Sequence, residues 1–204
     1  VAALSLTHTP REVQFYVLDF GGGSFAGMQS LPHLAGLATR SEPDIVRRAV
    51  SEVQSIVDAR ERYFREHGID SMDTYRQRRA EGVVDDGYGD VFLVVDGWGT
   101  LRTEFESLEP VIHGIAARGL TFGVHIMMTA SRWLEIRSNV KDLIGTRLEL
   151  RLGDPSDSEV DRKAAANVTA GAPGRGLSPQ KLQTLTALPR IDGDADPRTL
   201  ADGI

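Results

Sequence analysis

Val91-Phe92-Leu93-Val94-Val95-Asp96-Gly97-Trp98 is the stretch most able to do chemistry. Five apolar residues run into one carboxylate, the pattern of a buried parallel strand that delivers Asp96 to its carboxyl-terminal tip. Ligands of open α/β sheets sit beyond the carboxyl ends of the strands, and an Asp there holds the Mg²⁺ of a bound triphosphate in nucleotide-hydrolysing proteins. The residue after it is Gly97, where a catalytic Glu often stands. No G-x-x-x-x-G-K-[ST] phosphate loop occurs in the 204 residues, and there is no Gly-Lys pair at all. The residues thus supply half of an ATP site. Asp96 has a plainer alternative use, capping the following helix near Thr100.

Other chemistry finds less support. The five histidines are scattered without metal-ligand spacing, and His125 lies within a second apolar run, where a hydrogen-bonded core role is expected. No Ser-His-Asp or G-x-S-x-G arrangement is present. Two glycine-rich stretches, Asp19-Phe20-Gly21-Gly22-Gly23 and Gly174-Arg175-Gly176, permit close backbone approach. Each reads as a structural turn or as the border of a ligand or neighbouring module. The arginines at 47, 48, 60, 62, 65, 76, 78 and 79 are interleaved with acids, as on solvated helix faces.

The elements that must position these residues alternate between apolar runs and helical patterns, the signature of a parallel sheet wrapped by helices. Val1 to Leu6 read as the last turns of a helix, Val13 to Leu18 as a strand with the glycine loop at its tip. Ser41 offers an N-cap and Pro43 a first turn for a long amphipathic helix ending near Gly68. Ser71 to Arg79 read as a short helix, and Glu81 to Asp90 as a polar loop into the Asp96 strand. Leu101 to Ile115 read as one helix bent by Pro110 and ended by Gly119. Phe122 to Thr129 form a second buried strand, with Met127 and Met128 in the sheet core, that brings Ala130-Ser131-Arg132 to the same edge as Asp96. Further on come a short helix over Asn139 to Ile144, an alternating strand over Arg147 to Leu152 with one wet face, and a surface helix over Asp157 to Ala166. Gly174 to Leu177 and Leu182 to Ile191 read as a closing hairpin or edge strands. Pro197 to Ile204 begin an amphipathic segment, so both ends are expected to fall inside elements.

Composition agrees with one soluble globular unit: 41% hydrophobic and 25% charged residues are near average usage. The apolar runs are too short to cross a bilayer, and a cytosolic setting is expected. Zero cysteines exclude disulfides and thiolate metal sites. A net charge of −6 speaks against a general nucleic-acid binder.

Several of these stretches together carry a resemblance: Leu18 to Gly23, Arg60 to Asp70, Gly87 to Trp98, Gly123 to Trp133 and Gly171 to Leu177. They closely resemble the FtsK/SpoIIIE-type ATPase modules of the EccC motor proteins of actinobacterial type VII (ESX) secretion. The likeness spans almost the whole chain, and the Asp-Gly-Trp motif looks most like a degenerate middle module. The resemblance implies a three-layer P-loop NTPase fold of RecA/FtsK type, mainly parallel, with residues 1–204 forming a single incomplete module truncated at both ends and lacking the Walker A segment. It implies ATP and Mg²⁺ as cofactors of the complete module, with Asp96 as the Walker B aspartate acting on Mg²⁺ through water. Ser131 falls at the polar sensor position, flanked by Thr129 and Arg132, and Arg175 would reach a nucleotide across a module interface. Ser131 also suits a local turn cap, and Arg132 an interface pair. Gly97 replaces the Glu that polarises the attacking water, and losing general-base help costs roughly 10²–10⁴ in rate.

Three functions follow. The first is a nucleotide-binding module of a type VII secretion motor on the cytoplasmic face of the cell membrane, whose partners are other ATPase modules of the same chain or ring, small helical substrates and membrane channel components. The second is a non-catalytic docking module for substrate signal peptides or neighbouring modules. The third, a DNA translocase, is disfavoured by the acidic balance.

Overall fold

The computed structural model describes residues 1–190, 192–194 and 196. Its main sheet has four strands, β1 (Val13–Asp19), β2 (Leu34–Thr39), β3 (Asp90–Asp96) and β4 (Val124–Met128), in the order β2-β1-β3-β4 and parallel throughout. The register sets Asp19 beside Asp96 and Val95 beside Met128, so three strand tips share one rim. Strands buried on both faces read as continuous apolar runs, which is why β1 and β3 stand out in the sequence. β2, Leu-Ala-Gly-Leu-Ala-Thr, is half-buried and small-residue-rich and gives no such signal.

One face carries Tyr16, Leu18, Val91, Leu93, Val95 and Val124 against α2 (Pro43–His67) and α5 (Glu109–Gly119). The opposite face carries Phe15, Val17, Phe92 and Val94, covered by Leu4 of α1 (Ala2–Thr7) and by Val1 at its amino end. Helices on both faces of a parallel sheet make the three layers expected. α3 (Met72–Ala80) starts at Ser71, whose Oγ accepts the Thr74 N–H, and closes a satellite core of Phe64, Ile69, Met72, Tyr75 and Val84.

Several expectations need correction. Glu42, not Ser41, precedes the first turn of α2, because its carboxylate turns back to accept from Thr39 N and Oγ1. The helix after Trp98 is two helices, α4 (Trp98–Glu104) and α5, joined by a 3-10 turn over Glu106–Leu108. Pro110 stands in the first turn of α5, where a missing N–H costs nothing, and so starts a helix instead of bending one. Met127 is 45% exposed, because β4 is the last strand of the sheet and its outer face is uncovered there. Arg60 is not on a solvated face: it is 1% exposed, donating to Asp86, to Phe122 O and to Tyr88 O, with its guanidinium over the Tyr75 ring.

The remaining described residues form α6 (Ser138–Lys141), α7 (Arg162–Ala166) and a small antiparallel sheet of β5 (Glu149–Leu150), β6 (Arg175–Leu177) and β7 (Gln183–Leu185). The strand expected over 147–152 is only Glu149–Leu150, and the alternation, in the opposite phase to a leucine-in strand, ends at Leu150, since Arg151 is exposed and Leu152 half-buried. Leu148 and Leu150 are 66% and 54% exposed while Glu149 is buried. Trp133 Nε1, Ser158 Oγ and the Glu159 N–H all donate to the Glu149 carboxylate and satisfy both of its buried oxygens. Ser158 also accepts from the Val160 and Asp161 N–H groups, so the expected helix over 157–166 is delayed until Asp161 caps α7. The expected hairpin is β6–β7; Ile191 and the segment from Pro197 to Ile204 lie outside the described residues.

Candidate functional site

β3 passes into α4 through a single residue. Gly97 holds φ +96° and ψ 63°, and a Cβ there would stand 3.2 Å from Phe20 Cβ. An L side chain is strained at such a φ, so this turn favours glycine whatever the chemistry nearby. Asp96 does not cap α4, whose amino end has no side-chain acceptor. Its Oδ1 instead accepts the Thr129 hydroxyl at 2.6 Å, and Thr129 Oγ1 in turn accepts the Gly97 N–H at 2.9 Å. Backbone bonds stitch the same point from both sides: Phe20 N to Asp96 O at 2.9 Å, Trp98 N to Thr129 O at 2.8 Å, and Thr129 N to Val95 O at 3.0 Å. Asp96 is partly buried, and among the described residues no arginine or lysine pairs with it.

Asp96 and Thr129 therefore meet on one rim, and Ser131 and Arg132 follow in the exposed loop after β4. Thr129 spends its hydroxyl on Asp96 and Gly97, which makes it a positioning group for the carboxylate. Ser131 is exposed, and its N–H donates to Glu135 Oε2 at 3.1 Å, closing the loop that follows β4. Arg132 is exposed. Arg175 is in the middle strand of the small sheet, opposite Leu185. Glu104, a weak substitute for the absent glutamate on sequence grounds, sits at the far end of α4 and pairs with Arg40.

Two contributors escaped the sequence. Glu135 holds the Ser131 loop, while Arg102 Nη1 donates to Glu135 O at 2.6 Å; a carboxylate four residues after the loop serine was the only hint. Asp19, 4% exposed, accepts the Gly23 and Phe25 N–H groups and folds the glycine loop back over the rim. Beside that loop opens a cleft of about 570 Å³, bordered among others by Gly22, Gly23, Thr39, Arg40 and Glu104.

Among the described residues no group of three His, Cys, Asp or Glu could cage a metal ion. Mg²⁺ does not need a cage: it keeps most of its waters and is shared between one or two carboxylates and the phosphates of a substrate. One strand-tip carboxylate, fixed on one oxygen by a hydroxyl, fits that use.

Comparison with known proteins agrees with this geometry. The model of the FtsK/SpoIIIE family matches residues 1–191. The ESX secretion system protein EccC of Thermomonospora curvata is 56% identical over 205 residues, covering 100% of this chain and 16% of the relative. The ESX-4 secretion system protein EccC4 of Mycobacterium tuberculosis is 48% identical over 204 residues, with the same two coverages. A structure of Thermomonospora curvata EccC (ATPases 2 and 3) in complex with a signal sequence peptide superposes with a TM-score of 0.95 at 56% identity, covering 99% of this chain and 37% of that one. The chain thus spans about a sixth of the length of these curated relatives. The layered parallel sheet is the P-loop NTPase-like fold of those ATPase domains, and with the family model matching nearly all of its length the chain belongs to the FtsK/SpoIIIE family.

Proposed function

We propose that residues 1–204 are one incomplete nucleotide-binding module, the degenerate middle one, of a type VII secretion motor ATPase. The observation that carries this is Asp96, a strand-tip carboxylate with one hydroxyl partner on the rim where α/β sheets bind ligands. The complete module takes ATP and Mg²⁺. Asp96 orients the cation through water, Ser131 and Arg132 face the phosphates, and Arg175 reaches a nucleotide at a contact with a neighbouring module. The phosphate loop comes from another segment of the longer protein. The outer edge of β4 and the exposed Met127 leave room for the strand that would bring it beside Asp96. With Gly97 in place of a glutamate, turnover is slow, and the module serves export by nucleotide occupancy and packing against other modules. It works at the cytoplasmic face of the membrane with channel components and small helical substrates; no described helix is long and apolar enough to cross a membrane.

A second reading, a docking module without catalysis, draws on the exposed leucines of the small sheet and on the Thermomonospora relative solved with a signal sequence peptide.

The test is nucleotide binding by the longer protein with the sites of its other modules disabled. The expected result is measurable Mg²⁺-dependent ATP affinity with slow turnover, and loss of the Mg²⁺ dependence in Asp96→Ala. Brisk hydrolysis removes the role given to Gly97. Peptide binding with no nucleotide affinity moves the assignment to docking, and strongly salt-dependent DNA binding moves it to a translocase.

A further inference from the structure

We propose that the loop from Asp19 to Gly23 is the seat of the Asp96 carboxylate, and that Gly21 is a positioning residue for cation binding there. The inference rests on the nucleotide reading of the site and gives the glycine run a use.

The loop is tied at both ends. Phe20 N donates to Asp96 O at 2.9 Å, and the Phe20 ring stacks on Phe105 with centroids 5.2 Å apart. Asp19 Oδ1 accepts Gly23 N at 3.2 Å, and Oδ2 accepts Phe25 N at 3.0 Å, so the residues between are drawn across the strand tips. Gly21 then lies against Asp96: a Cβ on it would stand 2.1 Å from Oδ2 and 2.8 Å from Cγ. Gly22 and Gly23 differ, since a Cβ on either would meet nothing within 4 Å. They are glycine for their φ of +109° and +90°, whereas Gly21 is glycine for the space its neighbour needs.

Asp96 is thereby confined from two sides. Thr129 fixes Oδ1 and the bare backbone of Gly21 admits Oδ2, which leaves the carboxylate one orientation toward the rim. A methyl group at position 21 displaces the end of a short side chain and not backbone, so Gly21→Ala folds with its carboxylate turned away.

The experiment uses the longer protein with only this module's nucleotide site intact, and reads both thermal melting and an Mg²⁺ titration of fluorescent ATP-analogue binding. Gly21→Ala weakens the apparent Mg²⁺ affinity by roughly 10–100-fold, the usual effect of disturbing a ligand's support. Asp96→Ala loses as much, and the double variant loses no more than Asp96→Ala alone. Without nucleotide, Gly21→Ala melts lower than the parent, and Asp96→Ala in the same chain relieves the part caused by the clash. Additive losses, an undisturbed titration in Gly21→Ala, or a melting deficit that Asp96→Ala does not relieve each overturn the seat. Should Asp96→Ala leave the titration unchanged, the nucleotide reading falls instead. The seat is then decided by the melting pair alone, relief supporting it and no relief overturning it.

Discussion

The two ends of β3 each carry an aspartate, and their surroundings differ. At the amino end Asp90 receives Arg76 Nη2 at 2.8 and 3.0 Å on its two oxygens, and His125 Nε2 lies 2.9 Å from Oδ1. Just before it in the chain, Asp86 receives Arg60 Nε at 2.7 Å and the Tyr75 hydroxyl at 2.5 Å. At the carboxyl end Asp96 receives one threonine hydroxyl. The amino end is closed by charge and hydrogen bonds, whereas the carboxyl end has one hydroxyl partner on Oδ1 and the Gly21 backbone beside Oδ2. Two aspartates on one strand are alike in the sequence; their partners separate the ion-paired carboxylate from the one with no cationic side chain bonded to it among the described residues.

The comparison breaks most visibly at Arg60. Removing the guanidinium in Arg60→Ala leaves Asp86 uncompensated, and denaturant unfolding should show a loss of about 3–5 kcal/mol, the usual consequence of breaking a buried pair from one side. A loss below about 1 kcal/mol would mean that water replaces the guanidinium there.

At the other end, Gly97→Glu tests whether the missing glutamate can simply be put back. The φ of +96° costs a side chain about 1–2 kcal/mol. Contact with Phe20 adds to this, so the variant should be less stable and gain no hydrolysis in the longer protein. A gain in ATP turnover would show that the turn relaxes and that chemistry, not backbone, was the barrier.

A smaller effect is expected with pH. Burial pulls the Asp90 carboxyl up, but the hydrogen bond from His125 and the Arg76 guanidinium outweigh it and hold the group below its ordinary value of 3.8. For Asp86 burial is likewise outweighed, there by Arg60. A carboxyl depressed in the folded state contributes stability that is present above its unfolded value and is lost as pH falls through the folded one. Stability should therefore decline as pH drops below about 4, and Asp90→Asn should flatten that slope in unfolding curves taken across acid pH. An unchanged slope would remove Asp90 from the acid response.

Much of the fold was legible because burial on both faces writes itself as apolar runs. β1 and β3 show in this way; β4 also reads as an apolar run although one of its faces is uncovered at Met127, and the shared rim shows because each run stops at a polar residue. The place of Ser131 just beyond the β4 tip followed from the same reasoning. β2 did not, being an edge strand of small residues, and Glu135 and Asp19 did not, because their roles are hydrogen bonds to backbone amides that composition does not record. Arg175 is part of β6, and the glycine after it serves strand pairing: a Cβ on Gly176 would stand 2.2 Å from Glu149 O.

The amino-acid order alone determined the alternation of strands and helices, and with it the placing of Asp96 at the carboxyl-terminal rim of the sheet, since strand tips are set by where apolar runs end. Tertiary structure decided which side of an alternating segment faces in. Over 147–152 the period allowed leucines or charges inside, and Glu149 went in because Trp133, Ser158 and the Glu159 amide, contributed by other segments, satisfy it. It also decided that Arg60 is core and Gly21 a seat. A pattern carries the spacing of side chains along one element, whereas burial and orientation depend on the donors, acceptors and volume that distant elements bring.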